Sequence, residues 1–174
     1  AIERLISECE YGMELSKTPK RVAVENAGDI INSKNPEYAP VINAAGDQLF
    51  FARKVEVEKD EYAERLFYSE LISSKTWTEP KELVLTDDPN TDIAPLYIAP
   101  GNDFGLIYDS RSHNGDIFEI VKKNGKWQED KSFPKSINSK HWEPSASLFP
   151  DGSILVFSSN RPGGYGGLDL YMSQ

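Results

Sequence analysis

Apolar and polar residues alternate with a period of two along most of this chain, which is typical of β-strands with one buried face. In LDLYMS, at 168–173, two leucines and a methionine share one face. The run ILVF at 154–157 is apolar on both faces, as in a strand packed between two layers. Pro150-Asp151-Gly152 separates two apolar runs and predicts a tight turn. The pattern therefore predicts an antiparallel meander.

The alternating pattern repeats about every 50 residues. Three segments align: EYAPVINAAGDQLFFAR from Glu37, DIAPLYIAPGNDFGLIYDSR from Asp92 and EPSASLFPDGSILVFSSNR from Glu143. Each has an acidic residue, a half-apolar strand, a glycine turn and a strongly apolar strand. Further markers share this spacing or recur between units: Trp77 and Trp127, and INSK at 31–34 and 137–140.

A period of this length with four short strands is typical of a β-propeller blade. In the first unit we expect strands at 38–44, 48–54, 64–71 and 77–84. The sequence thus predicts an all-β chain of about three four-stranded antiparallel blades, with one short N-terminal α-helix. The partial propeller covers 20–174, with blades at about 36–85, 90–133 and 141–174.

The third unit ends after its third strand, and residues 21–25 are a candidate outer strand that closes the last blade. Closed propellers usually have four to eight blades. The expected arrangement is a fragment of a larger ring. Two alternatives remain open: a half-ring whose homodimer completes six blades, and an open stack of three blades.

Residues 1–19 form the other predicted unit, a helix followed by a linker. Apolar residues recur there at steps of three and four, and Pro19 ends the pattern. The helix is expected either to pack on the propeller or to be the last helix of an upstream helical-repeat domain.

Composition narrows the range of partners. A net charge of −9 and a pI near 4.8 argue against binding to nucleic acid or to anionic lipid. Apolar runs are far shorter than the roughly 20 residues needed to span a bilayer. One cysteine and two histidines offer no zinc cluster, so no metal or cofactor is expected.

Polar residues beside the glycine segments are the candidate binding site. They are expected at one mouth of the ring: Arg111, Asn114, Arg161, Tyr165 and Asp169. Because similar features recur in two units, the favoured interpretation is architectural, with Arg161 pairing with a carboxylate. The glycines of GGYGG lead into a strand and not a helix, which weakens a phosphate-loop interpretation.

Other motifs suggest chemistry only weakly. His113 and His141 are the possible bases, yet no G-x-S-x-G accompanies Ser145, so catalysis is not expected. Residues 87–92 are acidic but lack the spacing of a calcium loop, and an Asx turn fits better. Each of the two repeated tryptophans is expected to anchor a blade against its own sheet, with a sugar-stacking ladder as the alternative.

The segments PDGSILVFSSNRPGGYGGLDLYMS and INSKNPEYAPVINAAGDQLFFARK resemble WD-like propeller repeats related to the Tol-B propeller, most closely those of Bacteroidetes envelope proteins. In such proteins tetratricopeptide repeats precede the propeller, and a carboxypeptidase-regulatory-like domain and an outer-membrane-protein-A-like peptidoglycan-binding domain follow. Some serve type IX secretion and gliding.

The resemblance implies a non-catalytic interaction scaffold in the periplasm, associated with the outer membrane. Its expected partners are other envelope proteins, and peptidoglycan through a further domain. A propeller that binds glycans or peptidoglycan fragments is the main alternative function. A propeller enzyme, either a glycosidase or a peptidase accessory, is the third.

Overall fold

The computed structural model describes residues 2–18, 23–111 and 114–174. Pro19, residues 20–22, Ser112 and His113 lie outside this part. Within these described ranges, one helix precedes twelve strands. The elements are α1 (Ile2–Ser16), β1 (Glu37–Ile42), β2 (Gln48–Glu58), β3 (Glu61–Ser73), β4 (Thr76–Trp77), β5 (Lys81–Glu82), β6 (Ile93–Ile98), β7 (Phe104–Asp109), β8 (Asp116–Lys123), β9 (Lys126–Ser132), β10 (Ala146–Leu148), β11 (Leu155–Ser159) and β12 (Asp169–Ser173).

The strands form three antiparallel sheets, each a meander in chain order. Blade one runs β1-β2-β3, and its outer strand consists of two short pieces, β4 and β5, which both pair with β3. Blade two is the complete four-stranded sheet β6-β7-β8-β9, and blade three contains β10-β11-β12. The all-β blade architecture predicted from the repeat is confirmed.

The charged segment at 54–65 is the main departure from the expected strand boundaries. Strands were expected at 48–54 and 64–71, but β2 and β3 both continue through this segment, with Lys54 opposite Glu64 and Glu56 opposite Tyr62. The hairpin turns at Asp60, whose φ is 63°. Its charged side chains alternate along two strands that extend beyond the core, which explains why hydrophobicity alone ended the strands too early.

The candidate closing strand at 21–25 is only partly visible. Residues 21 and 22 lie outside the described residues, and residues 23–28 adopt no regular secondary structure. Among the described strands, blade three has three, with β12 as its last.

Two apolar clusters join consecutive blades. The first lies between blades one and two, and the second between blades two and three. Their buried members are, first, Phe50, Leu66, Ile93, Ile98, Ile107, Ile120 and Trp127, and second, Leu106, Ile117, Ile137, Ala146, Leu155 and Phe157. The middle sheet is thus buried on both faces, which accounts for apolar runs without alternation. Each fully buried large side chain contributes about 1.5–3 kcal/mol.

Helix α1 forms where the three- and four-residue spacing predicts it. None of its residues is buried, and its apolar side chains, such as Leu5 and Met13, are exposed. The expected packing of this helix on the blades is therefore absent from the described structure. Among the described residues, no helix has both the length and the apolar character needed to cross a membrane.

Substitution of Gly115 by alanine tests the packing of the loop before β8. Gly115 has φ +107°, and a Cβ there would lie 2.2 Å from the Tyr108 ring, whereas Gly125 has φ +77° and open space around it. We expect Gly125→Ala to cost about 1 kcal/mol and Gly115→Ala at least about 2 kcal/mol more. Urea unfolding measures both values. Equal losses of unfolding free energy in the two variants would show that the contact with Tyr108 does not constrain the loop.

Candidate functional site

Blade three fixes its first strand with a buried acid and an arginine. Glu143 is fully buried, and its Oε1 accepts hydrogen bonds from the Ser159 hydroxyl at 2.5 Å and from Arg161 at 3.2 Å. Arg161 also donates to the carbonyl oxygens of Ser136 and Ile137, at 2.8 and 2.6 Å, in the linker that enters the blade. We call this combination of arginine, first-strand acid and linker carbonyl an arginine clasp.

Blade one contains the same clasp. Arg53 donates to Glu37 Oε1 at 2.8 Å and to the carbonyl oxygen of Ile31 at 2.8 Å. The hydroxyl of Ser33 donates to the same carboxylate at 2.6 Å, as that of Ser139 does to its acid in blade three. The recurrence of INSK thus has a physical cause: its isoleucine supplies the carbonyl and its serine helps to hold the acid.

An aromatic pair supports each clasp arginine. Phe157 and Tyr171 stack in blade three with ring centroids 5.8 Å apart, and Phe51 and Phe67 stack in blade one at 6.0 Å. The clasp guanidinium lies 4.8–5.4 Å from each of these four ring centroids. Guanidinium stacking on aromatic faces adds to the ion pair.

Blade two breaks the pattern because of one residue on its second strand. Strand register places Asp109 where blade one has Arg53 and blade three has Ser159. Asp109 is fully buried and binds Arg111 through both carboxylate oxygens, at 2.8–2.9 Å from Nε. Arg111 also pairs with Glu129. The hydrogen bond with Asp109 is the main cause of the raised pKa of Arg111.

Asp92, the acid that begins the second repeat, aligns in sequence with Glu37 and Glu143. In the sheet, however, Ile93 lies opposite Asp109 as Glu37 lies opposite Arg53, so Asp92 lies one residue before the clasp position. Its Oδ1 accepts the backbone N–H of Glu64 at 2.8 Å, and its own N–H donates to the Ser110 hydroxyl. Within the described part of the chain, no lysine or arginine forms an ion pair with Asp92 or Glu64.

The GGYGG loop of blade three is closed by Asp169. The carboxylate of Asp169 accepts the backbone N–H groups of Tyr165 and Gly166 at 3.1 and 3.1–3.2 Å. A Cβ on Gly164 would lie 1.9 Å from this carboxylate, so only glycine fits there. Because an acidic side chain already holds these N–H groups, the loop does not present them to a phosphate. The side chain of Tyr165 is fully exposed.

The five predicted site residues therefore form two separate groups. Arg161, Tyr165 and Asp169 belong to blade three, and Arg111 and Asn114 to blade two, where the carbonyl of Asn114 accepts the Tyr108 hydroxyl at 3.2 Å. No hydrogen bond or ion pair between described residues joins the two groups. Both arginines bind carboxylates within their own blade, as the architectural interpretation expects. A ligand role for these five residues stays a prediction.

The residues considered for catalysis are not arranged as a pair. The Ser145 hydroxyl bonds to the Ser158 hydroxyl at 2.7 Å, and the backbone N–H of His141 donates to Ser139. No hydrogen bond joins His141 to Ser145 among the described residues. His113 lies outside them.

The other weak motifs also have structural roles. Asp88 accepts the N–H of Asn90 at 2.9 Å, which is the expected Asx turn. Trp127 is 9% exposed and packs edge-on against Phe50 of blade one, at 5.8 Å, so it joins two neighbouring blades where contact with its own sheet was expected. Trp77, on the outer strand of blade one, is half-buried. In the part of the chain that the structure describes, no group of three or more histidine, cysteine or acidic residues is placed to hold a metal ion.

A cavity of about 300 Å³, not predicted from the sequence, lies where the first strands of all three blades begin. Its lining contains the unpaired acids Glu64 and Asp92 and the aromatic residues Tyr38, Tyr108 and Trp142; the remaining residues are Ala39, Ala94, Leu96 and Pro144. We call it the three-blade cavity.

The tyrosines of the cavity are held in an apolar and acidic surrounding. The Tyr38 hydroxyl is buried and has no hydrogen bond of normal geometry. Burial is the main cause of the raised pKa of Tyr38, and the nearby carboxylates of Glu64 and Asp92 raise it further. Burial also raises the pKa of Tyr108. Both phenols are therefore neutral over the physiological range, and both tyrosines line the cavity.

Comparison with known proteins gives matches among solved structures only. No family model matches the sequence, and no curated protein matches it. A TolB-like protein from Agrobacterium tumefaciens is similar in structure, at 11% sequence identity and a TM-score of 0.42. The alignment covers 82% of this chain and 60% of that one, so this chain spans 60% of the length of that structure. The assignment of the fold therefore stands on the three sheets themselves.

Removal of the acid of the blade-three clasp tests its contribution to stability. Glu143→Ala leaves Arg161 and two serine hydroxyls without their buried acceptor, so we expect a loss of about 3–5 kcal/mol. Glu129→Ala removes a partly exposed partner of Arg111 and should cost less than about 1 kcal/mol. Urea unfolding followed by tryptophan fluorescence gives both values. A similar small cost for both variants would mean that the clasp does not hold the blade.

Proposed function

We propose that this chain forms part of a non-catalytic β-propeller module that acts as a protein–protein interaction scaffold in the bacterial cell envelope. The proposal rests on one observation: the charged side chains of the candidate site are engaged within their own blades, whereas an aromatic side chain is exposed. Arg111, Arg161 and Asp169 are engaged inside their blades, while Tyr165 is fully exposed on a loop that Asp169 holds in place. A rigid exposed tyrosine is the kind of residue that anchors protein interfaces.

The location of the scaffold follows from the sequence resemblance. The P-D-G-S, S-S-N-R and G-G-x-D-L-Y segments support a periplasmic module associated with the outer membrane, in a peptidoglycan-anchored or secretion-associated complex. Its partners would be other envelope proteins. A second copy of this chain would bring the number of blades to six, which is the homodimer alternative.

Site-specific photo-crosslinking tests the scaffold. We expect a photoreactive phenylalanine analogue at position 165 to crosslink to a defined envelope protein in the producing cell. The same analogue at Tyr62, also exposed but at the tip of the β2–β3 hairpin, is the matched control and should give a different product or none. Absence of any adduct from position 165 would contradict the proposal. So would robust hydrolase activity that Ser145→Ala or His141→Ala abolishes.

A glycan-binding propeller is the second candidate, and it too depends on Tyr165. An exposed aromatic ring can stack on a sugar, whereas Trp127 is buried and unsuited to do so. Titration with muropeptides and oligosaccharides separates the two functions. A glycan-binding protein should bind one of them saturably and lose at least about tenfold in affinity in Tyr165→Ala, without loss of stability. No saturable binding would exclude this candidate.

A further inference from the structure

The three-blade cavity differs from the repeated contacts around it, and this difference points to a ligand. A feature that recurs in more than one blade serves the architecture, as the arginine clasps of blades one and three do. In blade two the matching arginine, Arg111, is bound by Asp109 and Glu129. Asp92, one residue before the clasp position, lies beside the cavity and has no basic partner among the described residues.

The chemistry of the lining favours a cation. Two carboxylates, Glu64 and Asp92, share the cavity with the rings of Tyr38, Tyr108 and Trp142. Aromatic faces attract cations, and carboxylates add direct charge pairing. An anion would face two negative charges without a basic residue among the lining side chains. Trp142 is 38% exposed, so one wall of the cavity is open to solvent.

Local backbone geometry maintains this arrangement at a cost. Ala39, which also lines the cavity, has φ 50°, a region that non-glycine residues seldom adopt. It lies in a bulge of β1, where the pairing with β2 shifts between Tyr38 and Val41. Bulges redirect side chains, and strained backbone of this kind is found preferentially at functional sites. Tyr38 immediately precedes Ala39 in the sequence. Its hydroxyl is buried and has no hydrogen bond of normal geometry.

We infer that the three-blade cavity binds a basic side chain, lysine or arginine, presented by the protein partner of the scaffold; this rests on the proposed function. A volume of about 300 Å³ is at the lower end of ligand pockets, so it suits one side chain better than a large ligand. Glu64 and Asp92 pair with the charge of the bound side chain, and the aromatic rings enclose its apolar stem.

Tryptophan indole resonances offer a direct assay, because the chain has three tryptophans and only Trp142 lines the cavity. The probes are N-acetyl-arginine methylamide, N-acetyl-lysine methylamide and the uncharged N-acetyl-citrulline methylamide, at constant ionic strength. We expect a saturable shift of the Trp142 indole N–H with a cationic probe, little response to citrulline, and no shift at Trp77 or Trp127. Equal responses to arginine and citrulline, or no saturable shift, would overturn the inference.

Isosteric variants then test the carboxylates. Glu64→Gln and Asp92→Asn keep the shape of the cavity, and Asp92→Asn keeps the oxygen that accepts the Glu64 N–H. Each should weaken the binding of the cationic probe about tenfold. Glu79→Gln removes an exposed acid that does not line the cavity and is the matched control, with unchanged affinity expected. An equal effect of all three variants would show general charge attraction and no specific site.

A peptide separates a protein partner from a free cation. If the cavity accepts an arginine side chain that is part of a polypeptide, acetyl-Gly-Arg-Gly-amide should bind at least as tightly as the single arginine probe. Binding of the free probe without binding of the peptide would overturn the assignment to a partner. The crosslinking from position 165 is an independent measurement. If it fails, the scaffold function is contradicted even if the cavity binds cations. If the cavity binds none of the probes, the crosslinking result is unaffected.

Discussion

The arginine clasp is the interaction on which the arrangement of these blades depends. Hydrophobic burial holds the sheets together, but it is non-directional and does not define how a linker enters the next blade. The clasp supplies direction, because a guanidinium donates along fixed lines to an acid and to linker carbonyls. In the linker into blade three, Asn138 also bonds to the backbone of Ile117 at 3.0 and 2.7 Å, so this segment is fixed to both adjoining blades.

One exception to the clasp gives the structure its most distinctive feature. In blade two, Asp109 and Glu129 bind Arg111, the arginine that aligns with Arg161. Asp92 lies one residue before the clasp position, beside the three-blade cavity, and has no basic partner among the described residues. The surrounding blades supply the rigidity that a recognition site requires.

Much of the fold could be predicted from the sequence, because period-two alternation and the recurring glycine turns report directly on strands. The hairpin at 54–65 was missed, since its charged residues carry no burial signal although they alternate along paired strands. INSK was visible as a repeat, but its role involves backbone carbonyls, which sequence does not display. The three-blade cavity was not predicted because Tyr38, Asp92 and Trp142 come from different units and meet only after the blades pack.

Double-mutant cycles measure the central claim most directly. The account predicts coupling energies of at least about 1.5 kcal/mol for Glu37 with Arg53 and for Glu143 with Arg161, because both pairs are largely buried and hydrogen-bonded. Asp92 and Arg111, which align with these pairs in the sequence but do not pair with each other, should show coupling near zero. Comparable coupling in all three blades, or none in blades one and three, would contradict the account.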